Sequence, residues 1–193
     1  MPTLVLASTS VYRRELLDRL GLEVTATAPN CDEEALKDQA LSPVQLAAHL
    51  ARAKAASVAP RWPDAYIIGS DQLVELDGEV LGKPGSAEQA IAQLDRLQGR
   101  SHHLITAFAL LHPDGPVTEH IDRHVLHMRA LSLTEIKRYV AADRPLDCAG
   151  SYKIEARGIA LCERIEGADF TAIMGLPLIA LTTALRSQGF VVP

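Results

Sequence analysis

An aspartate in a short polar stretch is one candidate for a catalytic or metal-binding residue. The stretch is Gly-Ser-Asp-Gln at residues 69–72, and it follows the apolar segment Ala65–Ile68. A carboxylate at the end of a strand can hold Mg²⁺ or orient a water molecule for attack. Isolated aspartates more commonly cap turns. The motif by itself therefore leaves both roles open for Asp71.

A second candidate is the junction between the first predicted strand and the first predicted helix, where Ser8, Thr9 and Ser10 stand. A helix N-terminus presents unpaired N–H groups and a partial positive charge, which suit a phosphate. Ser8 or Ser10 could equally serve only as the helix cap. A cap does not explain Arg13 and Arg14, because cations in a first helical turn are disfavoured by about 0.3–1 kcal/mol each. A bound polyanion would offset the unfavourable energy of these two cations.

Further charged residues form weaker patterns. The adjacent carboxylates of Asp32, Glu33 and Glu34 could bind a hard cation, although acidic runs in loops are usually only solvated. Lys83 lies in a constrained Gly-Lys-Pro turn, and Lys153 lies in Gly-Ser-Tyr-Lys-Ile-Glu. Each lysine could equally be an ordinary surface charge. The histidines from residue 102 to 127 are interpreted as solvated strand faces rather than as a metal site.

The elements that must position these residues alternate between strand and helix patterns, which predicts one α/β domain over residues 1–193 and leaves a division into two lobes open. Strands are predicted at Thr3–Ala7, Leu22–Ala28, Ala65–Gly69, Leu104–Leu111, Val117–Met128 and Gly158–Ile165, with a hairpin over Leu73–Leu81. Helices are predicted at Tyr12–Leu20, Ser42–Val58, Ser86–Leu97, Ser132–Ala142 and Pro177–Arg186, and residues 29–41 are predicted to form a polar loop.

Composition narrows the class of protein. Apolar residues make up 48% and charged residues 22% of the 193 residues, which is typical of a soluble globular protein. A net charge of −5 argues against nonspecific nucleic-acid binding. The longest uncharged run, Phe170–Leu185, is shorter than the roughly 20 residues of a membrane span. With three scattered cysteines and no signal-peptide pattern, the chain is expected to be cytoplasmic, without membrane or nucleic-acid partners.

Taken together, these segments resemble the Maf family of nucleoside triphosphate pyrophosphatases over Leu4 to about Leu181. Each motif is weak alone, whereas their order and spacing are specific. The motifs are Leu6-Ala7-Ser8-Thr9-Ser10 with Arg13-Arg14, Asp32-Glu33, the helix around Lys54, Gly69-Ser70-Asp71-Gln72, Gly82-Lys83-Pro84, Ala149-Gly150-Ser151 and Gly175-Leu176-Pro177. The segments at 69–72 and 150–155 are most similar to the subgroup that acts on 7-methyl-GTP.

The resemblance implies a mixed α/β fold of the Maf and ITPase-like kind, in which helices flank a twisted sheet and two lobes surround a central cleft. It also implies hydrolysis of a nucleoside triphosphate to the monophosphate and pyrophosphate, with Mg²⁺ or Mn²⁺ as the cofactor, and assembly as a homodimer. Two alternatives stay open. One is a broad-specificity pyrophosphatase for damaged nucleotides, and the other is a non-catalytic nucleotide-binding regulator of septum formation.

Roles for individual residues also follow from the resemblance. Asp71 is implied to be the general base or a metal ligand, and Glu33 is implied to help hold the metal. The residues implied to bind phosphate are Ser8, Arg13, Arg14, Lys54, Lys83 and Lys153. The residues implied to set specificity are Tyr12, Gln72 and Glu155.

The chemistry of the specificity residues suits a methylated base. N7-methylation gives guanine a positive charge, which the carboxylate of Glu155 and the aromatic face of Tyr12 would favour. The amide of Gln72 carries a donor and an acceptor for a base edge. We expect Lys153 and Glu155 to share one face of an extended segment.

Overall fold

The computed structural model describes residues 2–37 and 40–192. Part of the predicted loop over 29–41 therefore falls on residues 38 and 39, outside the described residues. The strands are β1 (Thr3–Ala7), β2 (Val24–Thr27), β3 (Ala65–Leu76), β4 (Glu79–Leu81), β5 (Ser101–Leu111), β6 (Val117–Met128) and β7 (Cys162–Glu166). The α-helices are α1 (Val11–Asp18), α2 (Pro43–Val58), α3 (Ala87–Leu97), α4 (Leu133–Asp143), α5 (Phe170–Ile173) and α6 (Leu178–Ser187). Short 3₁₀ helices cover Ala59–Arg61, Ala149–Ser151 and Arg157–Leu161.

The strands form one mixed sheet, which confirms the expected mixed α/β fold. Its strand order is β2-β1-β3-β5-β6-β7, and β4 pairs with β3. β1 is parallel to both β2 and β3, with Leu6 opposite Ala26 and Ile68. β4 is antiparallel to β3, and β7 is antiparallel to β6. The chain moves from β1 to β2 and then back past β1 to β3, so the winding direction changes at β1.

The two faces of β1 pack against different helices because successive side chains of a strand point to opposite faces. Leu4 and Leu6 belong to one core cluster, and Val5 and Ala7 belong to another. The first cluster also contains Leu16, Leu17, Ile68, Leu181 and Leu185, from α1, β3 and α6. The second also contains Ala55, Val58 and Ile67, from α2 and β3.

The described residues divide into two compact units. Unit 1 takes the described residues within 1–71, 106–122 and 169–193, and unit 2 takes those within 72–105 and 123–168. The boundary thus falls inside β3, after Asp71. One domain over 1–193 stays a prediction. Within the described parts of the chain, no helix is both long and apolar enough to cross a membrane.

Two sequence predictions of secondary structure are wrong, and one short helix was not predicted. β3 continues through Gly-Ser-Asp-Gln instead of ending at Gly69: it pairs with β1 up to Ile68 and with β4 from Val74, and β5 is its neighbour on the side away from β1. The predicted strand over Gly158–Ile165 begins only at Cys162, since residues 157–161 form a 3₁₀ helix. α5 was not predicted, because its four residues are too short for a helical repeat.

Candidate active site

A lysine that contacts two carboxylates, one buried and one exposed, lies at the centre of the candidate site in unit 1. Lys54 Nζ lies 2.6 Å from Asp71 Oδ1 and 2.9 Å from Glu33 Oε2. The side chains of Lys54 and Asp71 are only 7% and 9% exposed, whereas that of Glu33 is 45% exposed. Lys54, which the resemblance assigns to phosphate binding, therefore contacts both predicted metal-binding carboxylates.

The close approach of α2 to β3 explains why Lys54 reaches Asp71. A Cβ atom at Gly69 would lie 2.1 Å from the carbonyl oxygen of Ala51 and 2.7 Å from the backbone nitrogen of Ala55. Only glycine allows α2 to pack this closely. Gly69 and Asp71 lie on the same face of β3, because they are two residues apart in a strand. The glycine of the motif thus has a packing role that brings the lysine of α2 to the aspartate.

One carboxylate oxygen of Asp71 is buried without a hydrogen-bond partner. Oδ1 accepts a hydrogen bond from Lys54, while Oδ2 has no partner within the described structure. Buried polar atoms are normally hydrogen-bonded, so an exception of this kind needs an explanation. Because Asp71 lies inside β3, it does not cap a turn. Its free oxygen can accept a proton from water or bind a hard cation.

The predicted phosphate junction is built around Arg13. Ser10 caps α1 by accepting a hydrogen bond from the Arg13 backbone N–H at 3.4 Å, so the capping role is present. The Arg13 guanidinium donates to Ser8 Oγ at 3.3 Å and to the Gly175 carbonyl oxygen at 3.0 Å. Gly175 also accepts from Ser70 Oγ at 2.9 Å. These contacts fix the cation at the carboxyl end of β1.

The positive charge of Arg13, which is unfavourable in the first turn of α1, is partly compensated by nearby carboxylates. Burial lowers the pKa of Arg13, and the charges of Asp71 and Glu33 raise it. The two carboxylates therefore supply part of the compensation that the sequence attributed to a bound polyanion. Arg14 is exposed and Tyr12 is half-buried on the same helix.

The sequence did not indicate the roles of Ser70 and Gly175. Gly-Leu-Pro at 175–177 is part of the resemblance, but no role followed from it. The Gly175 carbonyl oxygen accepts from both Ser70 and Arg13, which lie 105 and 162 residues from it in the sequence, and no local pattern reveals contacts over such separations.

The other predicted site residues belong to unit 2. Lys83 and Glu155 are exposed, and Gln72 and Lys153 are partly exposed. Lys153 Nζ lies 3.5 Å from Asp147 Oδ1, and the Lys153 backbone N–H donates to the Tyr139 hydroxyl at 2.9 Å. Residues adjacent in a strand face opposite sides, so Gln72 points away from the face that Asp71 occupies.

The expectation that Lys153 and Glu155 share one face of an extended segment is wrong. Residues 154–156 form a turn. The backbone N–H groups of Ala156 and Gly158 both donate to the Lys153 carbonyl oxygen, at 3.1 and 2.9 Å. This hydrogen bonding ends the extended backbone directly after Lys153.

The carboxylates suit a magnesium or manganese ion only together with further ligands. No cluster of three or more His, Cys, Asp or Glu side chains in the described residues could hold a metal. Mg²⁺ is commonly bound by one or two carboxylates plus water and substrate phosphates. Glu33 and the free oxygen of Asp71 match that donor set. Since Lys54 and Arg13 only balance the charges of Asp71 and Glu33, a triphosphate would need additional cations.

Two histidines depart from the interpretation as solvated strand faces. His102 and His124 are each only 2% exposed. His102 Nε2 lies 2.9 Å from the Tyr152 hydroxyl, and burial lowers the pKa of His102 to about 4. His102 is therefore neutral at pH 7 and belongs to the interior of unit 2.

Solved structures with a similar fold have low sequence identity to this chain. The Ham1 protein of Staphylococcus aureus aligns with a TM-score of 0.55 and 14% identity, covering 96% of this chain and 99% of its own. A HAM1 protein of Coxiella burnetii aligns with a TM-score of 0.50 and 17% identity, covering 97% and 100%. These similarities support the fold.

Sequence relatives are much closer. The 7-methyl-GTP pyrophosphatase of Xanthomonas campestris pv. campestris (strain 8004) is 50% identical over 193 residues, covering 100% of both chains. The 7-methyl-GTP pyrophosphatase of Bdellovibrio bacteriovorus is 48% identical over 184 residues, covering 95% of this chain and 96% of its own. A family model described as Maf-like protein matches residues 3–188. On this evidence, the chain belongs to the Maf family.

Proposed function

We propose that this chain hydrolyses 7-methyl-GTP to 7-methyl-GMP and pyrophosphate, and so removes a modified nucleotide from the cellular pool. The observation that carries the proposal is the buried carboxylate of Asp71, which has one oxygen held by Lys54 and the other free. Relatives that are about half identical and named 7-methyl-GTP pyrophosphatase support the choice of substrate.

The proposed reaction breaks the anhydride bond between the α- and β-phosphates. A water oxygen attacks the α-phosphorus, its proton passes to Asp71 Oδ2, and pyrophosphate leaves with the electrons of the broken bond. General-base catalysis of this kind contributes about 10²- to 10⁴-fold to a rate. Lys54 holds the other oxygen of Asp71 and so fixes the direction of the carboxylate.

The location of Asp71 and Arg13 in unit 1 suits a phosphate-binding site. In open α/β sheets, ligands bind at the carboxyl ends of strands where the winding direction changes. β1 ends at Ala7 and is the strand at which this sheet changes direction. Ser8 and Arg13 follow directly and are already hydrogen-bonded to each other. Phosphoryl transfer depends mainly on positioned donors and cations of this type.

The remaining site assignments are proposals that rest on the resemblance. We assign phosphate binding to Arg14, Lys83 and Lys153, and assign contacts with the base to Tyr12, Gln72 and Glu155. Because Lys54 contacts two carboxylates, we assign it chiefly to orienting them, with any phosphate contact secondary. The exposed position of Glu155 lowers the expected energy of its contact with a methylated guanine, since solvent screens exposed charges.

In the alternative role of Asp71, as a metal ligand instead of the base, its Oδ2 and Glu33 would hold the divalent cation, Mg²⁺ or Mn²⁺, that the resemblance implies. When bound, such an ion neutralises charge that develops on the phosphate oxygens. Asp71 Oδ2 has no hydrogen-bond partner within the described structure, and the Glu33 side chain is 45% exposed, which supports both as donors to the ion. We also propose that the chain forms a homodimer, as the resemblance implies, and that it is cytoplasmic, as its composition suggests.

A nucleotide panel tests the proposed function. The purified chain is incubated with 7-methyl-GTP, GTP, dTTP, UTP and ATP, with Mg²⁺ or Mn²⁺, and released pyrophosphate is measured. We expect the highest kcat/KM for 7-methyl-GTP. Similar values for all five nucleotides would favour the broad-specificity alternative, and binding without pyrophosphate release would favour a nucleotide-binding regulator.

A further inference from the structure

We propose that Gln93 is a positioning residue that holds two substrate-binding segments of unit 2 in a fixed relation. One segment is the Gly82-Lys83-Pro84 turn. The other is the stretch from Ala149 to Glu155. This inference rests on the proposed function, because that function gives Lys83, Lys153 and Glu155 their contacts with the nucleotide.

Both functional groups of the Gln93 side chain are engaged, each with a different segment. Its Nε2 donates to the Gly82 carbonyl oxygen at 2.9 Å. Its Oε1 accepts from Ser151 Oγ at 2.6 Å. The carbonyl of Gly82 can only accept, so the NH₂ group must face it and the orientation of the amide is fixed. Gln93 on α3 therefore connects one neighbour of Lys83 with the turn that precedes Lys153.

The turn that Gln93 holds has an unusual backbone. Gly150 and Ser151 have positive φ angles of 72° and 62°. A non-glycine residue in this conformation persists only when its surroundings hold it there. Ser151 is fully buried and its hydroxyl donates to Gln93. We infer that this hydrogen bond helps maintain the turn and, through it, the positions of Lys153 and Glu155.

A Cβ at Gly150 would lie 2.9 Å from side-chain atoms of Tyr152 and Val74, so the turn has little room to shift. The Lys153 backbone N–H is fixed in addition by the Tyr139 hydroxyl of α4 at 2.9 Å. The segment is thus held from two helices. Of these two contacts, only that of Gln93 also reaches the Lys83 turn.

No other standard side chain of similar length can replace both contacts. Glutamate at residue 93 could accept from Ser151 but could not donate to Gly82, and methionine could do neither. A neutral hydrogen bond contributes about 1 kcal/mol, which corresponds to about fivefold in binding. Gln93→Met should therefore raise KM for 7-methyl-GTP about fivefold or more, while kcat changes less than about twofold, because the two hydrogen bonds of Gln93 go to Gly82 and Ser151 and not to the proposed base.

The test compares Gln93→Met and Gln93→Glu with Gln89→Met, which changes an exposed glutamine of the same helix. Steady-state kinetics with 7-methyl-GTP and GTP, and calorimetric binding of inorganic pyrophosphate, are measured on all three. We expect weaker pyrophosphate binding and a lower 7-methyl-GTP preference for Gln93→Met, at least as large an effect for Gln93→Glu because its second carboxylate oxygen would face the Gly82 carbonyl oxygen, and wild-type values for Gln89→Met. Gln93→Glu carries the test if Gln93→Met does not fold.

A double-mutant cycle examines the contact itself. Because Gln93 and Ser151 share one hydrogen bond, adding Ser151→Ala to Gln93→Met should raise KM by less than the product of the two single effects. Strictly multiplicative effects of the two substitutions on KM would overturn the inference. So would a Gln93→Met variant whose KM and pyrophosphate affinity equal those of Gln89→Met. If the wild-type protein binds pyrophosphate but releases none from any nucleotide, the proposed function is overturned instead. In that case the pyrophosphate affinities of the Gln93 variants and of Gln89→Met still decide the role of Gln93.

Discussion

Substitution of Lys54 by methionine tests the buried charge group most sharply. The change keeps an unbranched side chain, shorter by one heavy atom, but removes the cation that Asp71 and Glu33 contact. Removing one partner of a buried ion pair costs about 3–5 kcal/mol. The lower end applies here, because the 45% exposure of Glu33 lets solvent screen that half of the interaction. In proteins of this size, about 3 kcal/mol corresponds to a fall of roughly 6–12 °C in Tm.

Lys37→Met is the matched control, because Lys37 also pairs with a glutamate in unit 1 but both side chains are exposed, at 42% and 80%. Such a pair contributes about 0–1 kcal/mol. Urea unfolding measures both variants, and thermal unfolding is repeated with and without Mg²⁺. We expect Mg²⁺ to raise the Tm of Lys54→Met more than that of the wild type, since both carboxylates then lack their lysine.

Two results would contradict the predictions for Lys54→Met. A loss of stability in Lys54→Met no larger than that in Lys37→Met would mean that the buried group does not form in solution. A Tm of Lys54→Met that does not respond to Mg²⁺ would mean that Glu33 and Asp71 do not hold the cation.

Three further predictions concern folding and selectivity. Burial lowers the pKa of His102 from 6.5 to about 4, so the unfolded state binds a proton that the folded state does not as the pH falls through this range. The wild type should therefore lose about 3 kcal/mol of its free energy of unfolding between pH 6.5 and 4, and urea unfolding should show that this loss is absent in His102→Gln. Gly69→Ala should lower the free energy of unfolding by about 2 kcal/mol or more, because its Cβ would lie 2.1 Å from the Ala51 carbonyl oxygen, whereas Gly82→Ala, with open space around it, should change it by less than about 0.5 kcal/mol. Glu155→Gln should lower the kcat/KM ratio of 7-methyl-GTP over GTP by about threefold at one ionic strength, and an unchanged ratio would contradict a charge contact with the base.

Elements with strong local signals could be predicted from the sequence. The apolar run at Thr3–Ala7 matches β1 at both ends, and the helix that begins after Ser42 ends at Val58 as expected. Capping boxes start α2 and α4, where the serine and the residue three positions later bond each other. These signals depend only on neighbouring residues, so the sequence reveals them.

The centre of the site depends on contacts between distant residues, which the sequence could not reveal. The sequence predicts Asp71 at a strand end because it follows the apolar segment Ala65–Ile68 and precedes a predicted hairpin. Its partner Lys54 lies 17 residues away and reaches it only because Gly69 lets α2 approach. The role of Gln93 had no local signal, since a glutamine on a partly exposed helix face is ordinary in any soluble protein.

The proposed hydrolysis, with Asp71 as the general base, is tested by the products that the wild type and Asp71→Asn form from 7-methyl-GTP. The substitution keeps the size of the side chain but removes its charge and basicity. We predict that the wild type forms 7-methyl-GMP and pyrophosphate in equal amounts, and that Asp71→Asn turns over at least about 10²-fold more slowly while it still unfolds cooperatively. Formation of 7-methyl-GDP and inorganic phosphate by the wild type, or near-normal turnover by Asp71→Asn, would contradict the account.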